Sequence, residues 1–405
     1  MLISSGSGWR NFSQKLFGAA LLSAALLSGC ASQGTQPVAE SDESKAITGE
    51  PVLLFLGQDT YTIDEYHRTV PEDELEGVTL YTGVFQQATN ENFPGVYTPA
   101  HWDSGIIDFQ KTLSDFPSAA LAIGLAFTDK PVDQDRIAKE IAEGKFDEPI
   151  TRFAQTLRDH QQPVYLRIGH EFDGPWNQYH PASYKAAFRH IHDLLEQAGA
   201  TNVKTVWHSA TWPDKSLGGE RASDYDHQRP EMLNDWYPGD DVVDVVGVSV
   251  FYRDLTVWTY TPPDTPQRAQ DQLLDFARAH HKPVMISEAA PQGYRIAELS
   301  RSPIMKNEPV SISAEALWNE WYQPFFDFID DNRDVITSVA YINTHWDSQF
   351  MWHCIPGGQA GQPHCPSGFW GDSRVQVNPL IRERWLKEVL NPKKYLQAGK
   401  PSEKK

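Results

Sequence analysis

The sequence has few cysteines, no excess of positive charge, and none of the common nucleotide-binding or serine-hydrolase motifs. Its 405 residues include 3 Cys, and 35 Lys and Arg stand against 54 Asp and Glu, a formal net charge of −19. This balance argues against nucleic acid as a partner. No G-x-G-x-x-G, G-x-S-x-G or H-E-x-x-H occurs. A dinucleotide site, a serine nucleophile and a zinc centre are therefore disfavoured, and we expect neither a cofactor nor a catalytic metal.

The longest apolar stretch lies at the N-terminus and is too short to span a membrane. Arg10 and Lys15 precede residues 16–27, and no later segment approaches about 18 uninterrupted apolar residues. The stretch ends in Leu27-Ser28-Gly29-Cys30, which resembles the lipobox of bacterial lipoproteins. That resemblance implies that Cys30 is diacylated and becomes the mature N-terminus. The alternative is an ordinary secretory signal cleaved elsewhere.

These features predict a cell-envelope protein that touches a membrane through its lipid anchor alone. Ala31 follows the lipobox cysteine and is not Asp, which by the sorting habit of such lipoproteins favours the outer membrane. Residues 1–30 are expected to be the signal peptide, and 31–48, poor in large apolar residues, a flexible tether. The catalytic domain is predicted at 49–395, followed by a disordered tail at 396–405. We expect a monomer.

Two cysteines remain once Cys30 is set aside. Cys354 and Cys365 have ten residues between them, including Gly-Gly and Pro. In an exported protein such a pair predicts a disulfide-closed loop. A metal site is the lesser alternative, because His353 and His364 adjoin the cysteines but no second Cys pair is present.

Short apolar or β-branched runs alternate with helical patterns along the rest of the chain. This alternation is typical of parallel strands joined by crossover helices. There are eight such runs: Val52–Leu56, Val78–Phe85, Ala120–Phe127, Val164–Ile168, Val203–Trp207, Val242–Val250, Val284–Ile286 and Ser338–Ile342. Eight strands predict an α/β fold, a (β/α)8 TIM barrel forming a single catalytic domain.

Amphipathic patterns lie between these runs. They cover Asp133–Gln161, Ala182–Ala198, Thr265–His280, Ala314–Asn332 and Asn378–Leu390, with a weaker one near Ile63–Val70. The region 213–235 reads as an insertion. A doubly wound open sheet is the competing architecture, but strand one leads into Gly57-Gln58-Asp59-Thr60, without a phosphate-binding glycine loop.

Two glutamates follow apolar runs on strands four and seven. Strand four ends Arg167-Ile168-Gly169-His170-Glu171, and strand seven ends Ile286-Ser287-Glu288. Active sites of such barrels lie at the carboxyl ends of the strands. Strand alternation places Arg167 and Glu171 on one side, and a buried arginine there would order nearby carboxylates. Glycoside hydrolysis needs two carboxyl groups in different protonation states, and this pair supplies them.

The stretch YLRIGHEFDGPWN, residues 165–177, resembles the strand-four signature of glycoside hydrolase family 26, Arg-x-x-His-Glu-x-Asn-Gly-x-Trp. The resemblance implies a retaining barrel enzyme with Glu171 as acid/base and Glu288 as nucleophile. Burial and the charge of Glu288 are expected to keep Glu171 protonated near neutral pH. Trp176 would wall the sugar subsite at the cleavage point. The other matching positions are Arg167, His170 and Gly174, with His170 expected to orient a carboxylate or a sugar hydroxyl.

Other positions depart from the family pattern. Asp173 stands where the family has Asn, and it would either raise the pKa of the acid or bind a sugar hydroxyl. On strand six, Ser249 replaces an Asp, and Phe251 falls where the family has a Tyr that bonds the nucleophile. Tyr252 would then take that role from a shifted register. After strand eight, Trp346 is expected beneath the sugar.

Two further sites have an open interpretation. His208, after strand five, and Gln58-Asp59, after strand one, either line the cleft or cap loops. The histidines His170, His180 and His208 lack the helical spacing of zinc ligands.

Together these patterns predict a retaining endo-acting β-glycoside hydrolase that acts on a polysaccharide. By resemblance the substrate is β-mannan, β-1,3-xylan or mixed-linkage β-glucan, and the residues do not discriminate among the three. A non-catalytic glycan-binding lipoprotein and a polysaccharide lyase on a barrel scaffold are the alternatives.

Overall fold

Eight parallel strands close into a barrel in the computed structural model, which describes residues 49–85, 92–102, 105–127, 134–213, 215–251, 265–355 and 357–397. In chain order the strands are β1 Leu53–Leu56, β2 Gly77–Val84, β3 Ala120–Phe127, β4 Val164–Ile168, β5 Val203–Ser209, β6 Val245–Val250, β7 Val284–Ala289 and β8 Ile336–Tyr341. Each strand pairs in parallel with its neighbours in the chain, and β8 closes on β1 with Leu53 opposite Ser338. The predicted (β/α)8 barrel is confirmed.

Helices surround the barrel. They are α1 Thr60–Thr69, α2 Phe109–Asp115, α3 Gln134–Ala142, α4 Asp147–His160, α5 Pro181–Gln197, α6 Met232–Trp236, α7 Pro266–Ala279, α8 Ala314–Leu317, α9 Gln323–Asp331 and α10 Pro379–Val389. Residues Trp318–Tyr322 form a π-helical turn between α8 and α9. Proline at the first helical position begins α5, α7 and α10, where its missing N–H leaves no intrahelical bond unmade.

Short strands lie in the loops outside the barrel. Ala100–Trp102 and Gly105–Ile107 pair in a two-stranded sheet, and Tyr294–Arg295, Ser300–Arg301, Val310–Ser311 and Gly371–Asp372 form a four-stranded one.

The structure corrects several predicted boundaries. The helix predicted over 133–161 is two helices, because the chain turns at Gly144, whose φ of +80° ends the first of them. The 213–235 insertion contains a kinked 3-10 segment, Lys215–Tyr225, followed by α6. Next to the predicted domain boundary at 395, Leu396 donates its N–H to the carbonyl of Val52. The signal segment 1–30, the tether 31–48, residues 398–405 and Tyr252 lie outside the described residues.

The barrel interior changes from apolar to charged along its axis. An apolar layer fills its middle, made of Phe55, Ala120, Ala122, Tyr165, Val206, Val245, Met285 and Ala340. Arg167 lies on the same face of β4 as Tyr165, two residues nearer the carboxyl end, and is fully buried. A larger core packs the outer faces of the strands against the helices. A charged group therefore lies directly above the apolar floor, at the mouth of the barrel.

The predicted disulfide between Cys354 and Cys365 is confirmed. Both cysteines are buried against Phe369. Asn307 holds the loop that they close, because its side-chain amide donates to the carbonyls of Ile355 and Gly358. Within the described residues, no helix combines the length and the apolar character needed to cross a membrane.

Replacing Cys354 and Cys365 together by serine is expected to lower the free energy of unfolding by about 3 kcal/mol, because the cross-link restricts the unfolded chain around a loop of sequence separation 11. Urea unfolding followed by tryptophan fluorescence measures the change. Cys30→Ser is the control and is expected to leave the midpoint in place. Equal free energies for the double variant and the wild type would contradict the prediction.

Candidate active site

Glu171 reaches the barrel mouth through a turn rather than along a strand. β4 ends at Ile168, and Gly169 and Glu171 have φ angles of +55° and +54°. The strand alternation that predicts Arg167 and Glu171 on one face therefore stops before the glutamate. The side chain of Asn177 holds the turn by donating to the carbonyls of His170 and Glu171. A left-handed glutamate costs conformational energy, and residues held in this way cluster at functional sites.

Glu288 lies inside β7, on the opposite side of the mouth, and is 8% exposed. Its Oε1 accepts from Arg167 Nη1 at 2.7 Å and from the Tyr81 hydroxyl at 2.7 Å. Arg167 also donates to the carbonyl of Ser287 at 3.2 Å. The buried arginine thus has the carboxylate that its inward position predicts. The family resemblance also predicts Arg167 among the substrate-binding residues, but it is fully buried and contacts Glu288, so it presents no surface to a sugar.

Glycines at the mouth make room for these large side chains. A Cβ on Gly124, in β3, would lie 2.4 Å from the Tyr81 ring and 3.1 Å from Arg167 Nη2. A Cβ on Gly247, in β6, would lie 2.5 Å from Ser287 Oγ. Real Cβ atoms do not approach that closely. The arrangement of Arg167 and Tyr81 therefore depends on the absence of a side chain on the neighbouring strand.

Glu171 is bonded by a serine from β6. Ser249 Oγ donates to Glu171 Oε1 at 3.1 Å, and His208 Nε2 lies 3.0 Å from the same serine oxygen. Burial, together with the charges of Arg167 and His170, holds the pKa of His208 well below its usual range, so this histidine is neutral and donates through Nε2. His208 is fully buried. It supports Ser249 from behind, and the interpretation that it lines the cleft is wrong.

The two glutamates converge on one place. Ser249, which bonds Glu171, pairs with Glu288 across the β6–β7 register, at a β-bulge of the kind found beside active sites. Burial raises the pKa of Glu171 well above its usual range, and the negative charges of Glu288 and Asp173 raise it further. Glu288 lies beside a buried guanidinium instead. The two carboxyl groups therefore have different surroundings, one beside negative charges and the other beside a guanidinium.

Asp173 is fully buried behind Glu171. Its Oδ2 accepts from Ser209 Oγ at 2.6 Å and from His227 Nε2 at 2.7 Å, and its Oδ1 accepts from the Ala210 N–H at 2.6 Å. The Asp173 carboxylate accepts three hydrogen bonds from the protein and has no exposed surface. It is therefore not placed to bind a sugar hydroxyl, and that alternative is wrong. The other alternative, a charge that raises the pKa of Glu171, agrees with the electrostatics.

Tryptophans line the mouth beside Glu171. Trp176 is 38% exposed, lies in the 3-10 turn Pro175–Asn177, and packs edge-on against Trp212 with ring centroids 5.4 Å apart. Trp346 is only 2% exposed and packs against Trp370. Little of the Trp346 surface is left for a sugar, which contradicts the expectation that it lies beneath one. Trp212, Trp352 and Trp370 keep part of their surface exposed around the same apolar cluster.

The residues after β1 have structural roles. Asp59 caps α1 by accepting from the Thr62 N–H at 2.8 Å, and burial raises its pKa to about 7. Gln58 donates to the side chain of Gln349 at 3.1 Å. The His170 ring is edge-on to the Tyr81 ring, with centroids 5.6 Å apart, and its centroid lies 6.4 Å from that of the His208 ring.

Four residues of the site escape the sequence patterns: Tyr81, Trp212, His227 and, as a donor to Glu171, Ser249. Tyr81 occurs inside an apolar run, where an aromatic residue is most often core. Side chains alternate between the two faces of β2, and Tyr81 shares a face with Thr79. This alternation is the signal that could have placed Tyr81 inside the barrel mouth. His227 belongs to the insertion and has no periodic pattern around it.

Comparisons with known proteins agree with this geometry. The family model described as Glycosyl hydrolase family 26 matches residues 100–261. "Beta-1,3-xylanase TXYA" of Vibrio sp is 31% identical over 378 residues, 93% of this chain and 71% of that protein. A "Beta-1,3-xylanase" of Alcaligenes sp is also 31% identical over 378 residues, 93% of this chain and 70% of that protein. The structure of a GH26 β-mannanase from Bacteroides ovatus, BoMan26A, is similar with a TM-score of 0.50 at 13% identity, covering 87% of this chain and 91% of that one.

The structural likeness to the mannanase shows the shared fold. The sequence identity to two family relatives extends over nearly the whole chain and over more than two thirds of each relative. The chain therefore belongs to glycosyl hydrolase family 26, and it is an endo-acting β-glycanase.

Proposed function

We propose that this protein is a retaining endo-β-1,3-xylanase. The observation that supports this choice of substrate is the 31% identity to β-1,3-xylanases over 93% of the chain. The mannanase resemblance rests on 13% identity and concerns the fold alone. β-1,3-Xylan therefore ranks ahead of β-mannan and mixed-linkage β-glucan as the substrate.

The proposed mechanism uses Glu288 as nucleophile and Glu171 as acid/base. Glu288 attacks the anomeric carbon, the glycosidic bond breaks, and the leaving oxygen takes the proton of Glu171. Water then gives a proton to Glu171 and attacks the same carbon, and the ester bond to Glu288 breaks to regenerate the carboxylate. The different surroundings of the two carboxyl groups support this assignment, since Glu171 has the raised pKa that a general acid needs and Glu288 is paired with Arg167.

Trp176 is proposed to bind the xylan chain at the cleavage point. It is the exposed tryptophan of the strand-four turn, and its indole is held by the edge-on contact with Trp212. Flat apolar faces of this kind stack against the C–H groups of pyranose rings. The exposed surface of Trp176 lies within the turn that also carries Glu171.

Purified wild-type protein is expected to release oligosaccharides from β-1,3-xylan, with little release from β-1,4-mannan or mixed-linkage β-glucan. Proton NMR of the first products is expected to show the β anomer, because two displacements at the anomeric carbon retain its configuration. Glu171→Ala is expected to lower turnover of xylan by about 10²–10⁴-fold and to spare an aryl xyloside whose leaving group needs no proton. Glu288→Ala is expected to lose both activities.

Glu143→Gln, at an exposed glutamate just after α3, is the matched control and should behave like the wild type. Release from mannan without release from β-1,3-xylan would overturn the substrate while leaving the mechanism. An α anomer as first product, or full activity of Glu171→Ala on xylan, would overturn the mechanism.

Asp173→Asn is expected to move the alkaline limb of kcat/KM to lower pH, on the order of one pH unit. The negative charge of Asp173 raises the pKa of Glu171, so its removal lowers that pKa and Glu171 loses its proton at a lower pH. Asparagine keeps the size of the side chain and can still accept from the Ala210 N–H. A pH–rate profile on β-1,3-xylan measures the effect.

Asp135→Asn is the control for Asp173→Asn, because Asp135 is also a buried aspartate bonded to a serine and near a histidine, but on α3. Its pH profile should match the wild type. An unchanged alkaline limb in Asp173→Asn, with the fold intact by circular dichroism, would show that this charge has no part in setting the acid.

We further propose that the mature protein is lipid-anchored through Cys30, on the evidence of the lipobox-like stretch that ends there. Expression of the full chain in a Gram-negative host with labelled palmitate is expected to label the protein and place it in the membrane fraction. Cys30→Ser should abolish the label and release active protein, because Cys354 and Cys365 are joined to each other. Label that persists in Cys30→Ser would contradict the proposal.

A further inference from the structure

Glu288, the proposed nucleophile on β7, accepts a hydrogen bond from a residue of β2. The Tyr81 hydroxyl donates to Glu288 Oε1 at 2.7 Å across 207 positions of the chain. We propose that Tyr81 is the positioning residue of the nucleophile, in the role that the family resemblance gives to a tyrosine at the end of strand six. This inference rests on the proposed function, in which Glu288 is the nucleophile.

The Tyr81 side chain is held so that its hydroxyl can point in one direction. It is 7% exposed. The guanidinium carbon of Arg167 lies 4.7 Å from its ring centroid, and the His170 ring meets it edge-on at 5.6 Å. Gly124 supports its other side, where any Cβ would collide with the ring. The hydroxyl is therefore fixed before the substrate arrives, which is what electrostatic preorganisation requires.

Among the described residues after strand six, the position of the family tyrosine does not supply a donor to Glu288. Phe251 stands there and has no hydroxyl. It packs in an apolar cluster with Ala290, Ile304 and Ile342, and its carbonyl accepts from Trp321 Nε1. Tyr252 lies outside the described residues. The described donors to the Glu288 carboxylate are Tyr81 and Arg167.

Both donors fall on the same oxygen of Glu288. With Oε1 bonded to Tyr81 and Arg167, Oε2 is the oxygen left to attack the anomeric carbon. In the glycosyl-enzyme, Oε2 carries the new bond and Oε1 becomes the ester carbonyl oxygen. When water displaces the ester, the electron pair of the C–Oε2 bond returns to the carboxylate. The two donors stabilise the charge that develops, so Tyr81 contributes to the second step.

The hydroxyl of Tyr81 remains a donor throughout this cycle. Burial raises the pKa of Tyr81 well above its usual range, and the charge of Glu288 acts in the same direction while that of Arg167 opposes it. The phenol therefore keeps its proton at every pH at which the enzyme works. Its part is to orient Glu288 and stabilise its charge, with no transfer of its own proton.

Tyr81→Phe tests the inference on the full-length protein with β-1,3-xylan. We expect kcat to fall about 10–10²-fold with KM little changed, because the lost bond acts on the reacting carboxylate rather than on substrate binding. With an activated aryl xyloside, a larger pre-steady-state burst is expected, because hydrolysis of the ester slows.

Tyr66→Phe is the matched control. The Tyr66 hydroxyl also donates to a buried carboxylate, that of Asp73, and it accepts from Trp385 Nε1, but it belongs to α1 outside the barrel. This variant is compared with Tyr81→Phe in thermal midpoint, and its kcat and burst are expected to match the wild type. If Tyr81→Phe does not fold, Gly124→Ala, which forces the Tyr81 ring aside, is expected to give the same fall in kcat and the same larger burst.

Three results decide against the inference. A kcat and a burst of Tyr81→Phe that match those of Tyr66→Phe reduce Tyr81 to a packing role. A loss of kcat in Tyr252→Phe, with Tyr81→Phe unaffected, returns the role to the strand-six region. Glu288→Ala with retained turnover removes the nucleophile assignment itself, so this variant separates a failure of the proposed function from a failure of the inference.

Discussion

The ion pair between Arg167 and Glu288 is the interaction on which the site depends. Arg167 is fully buried, and an arginine cannot shed its proton to escape burial. Burying two charges costs several kcal/mol each unless geometry and further hydrogen bonds compensate. The compensation comes from three strands, because β2 gives the Tyr81 hydroxyl, β7 gives the Ser287 carbonyl and β3 gives space at Gly124. Side chains of several strands at the barrel mouth are thus arranged around the buried guanidinium of Arg167.

This ion pair also explains how two glutamates acquire opposite roles. Glu288 accepts hydrogen bonds from a guanidinium and a phenol. Glu171 faces one serine hydroxyl and two negative charges, in surroundings that remove its hydration, and its pKa is raised. The same residue type therefore has two different surroundings within one cleft. A guanidinium lies beside one carboxyl group, while burial and negative charges raise the pKa of the other.

Much of the fold follows from the sequence, and part of the site does not. Parallel strands buried on both faces read as apolar runs, so all eight could be located, and Glu171 and Glu288 stand out because each follows such a run. Tyr81 could not be found in this way. Its distance from Glu288 is set by the closure of the barrel and by Gly124, features that no local pattern encodes. The prediction that Trp346 lies beneath the sugar was wrong for the same reason, since its burial against Trp370 is a tertiary property.

Asp173 stands where the family has Asn, and the hydrogen-bond donors around it suit a carboxylate. Ser209 Oγ, the Ala210 N–H and His227 Nε2 all point hydrogens at its two oxygens, and an asparagine offers one oxygen where the aspartate offers two. His227 comes from the insertion between β5 and β6, whose backbone at that residue is held in turn by Gln272 of α7. The acid in the strand-four motif and the histidine in the insertion therefore form one unit. The same carboxylate therefore places a charge beside Glu171 and anchors the inserted segment through His227.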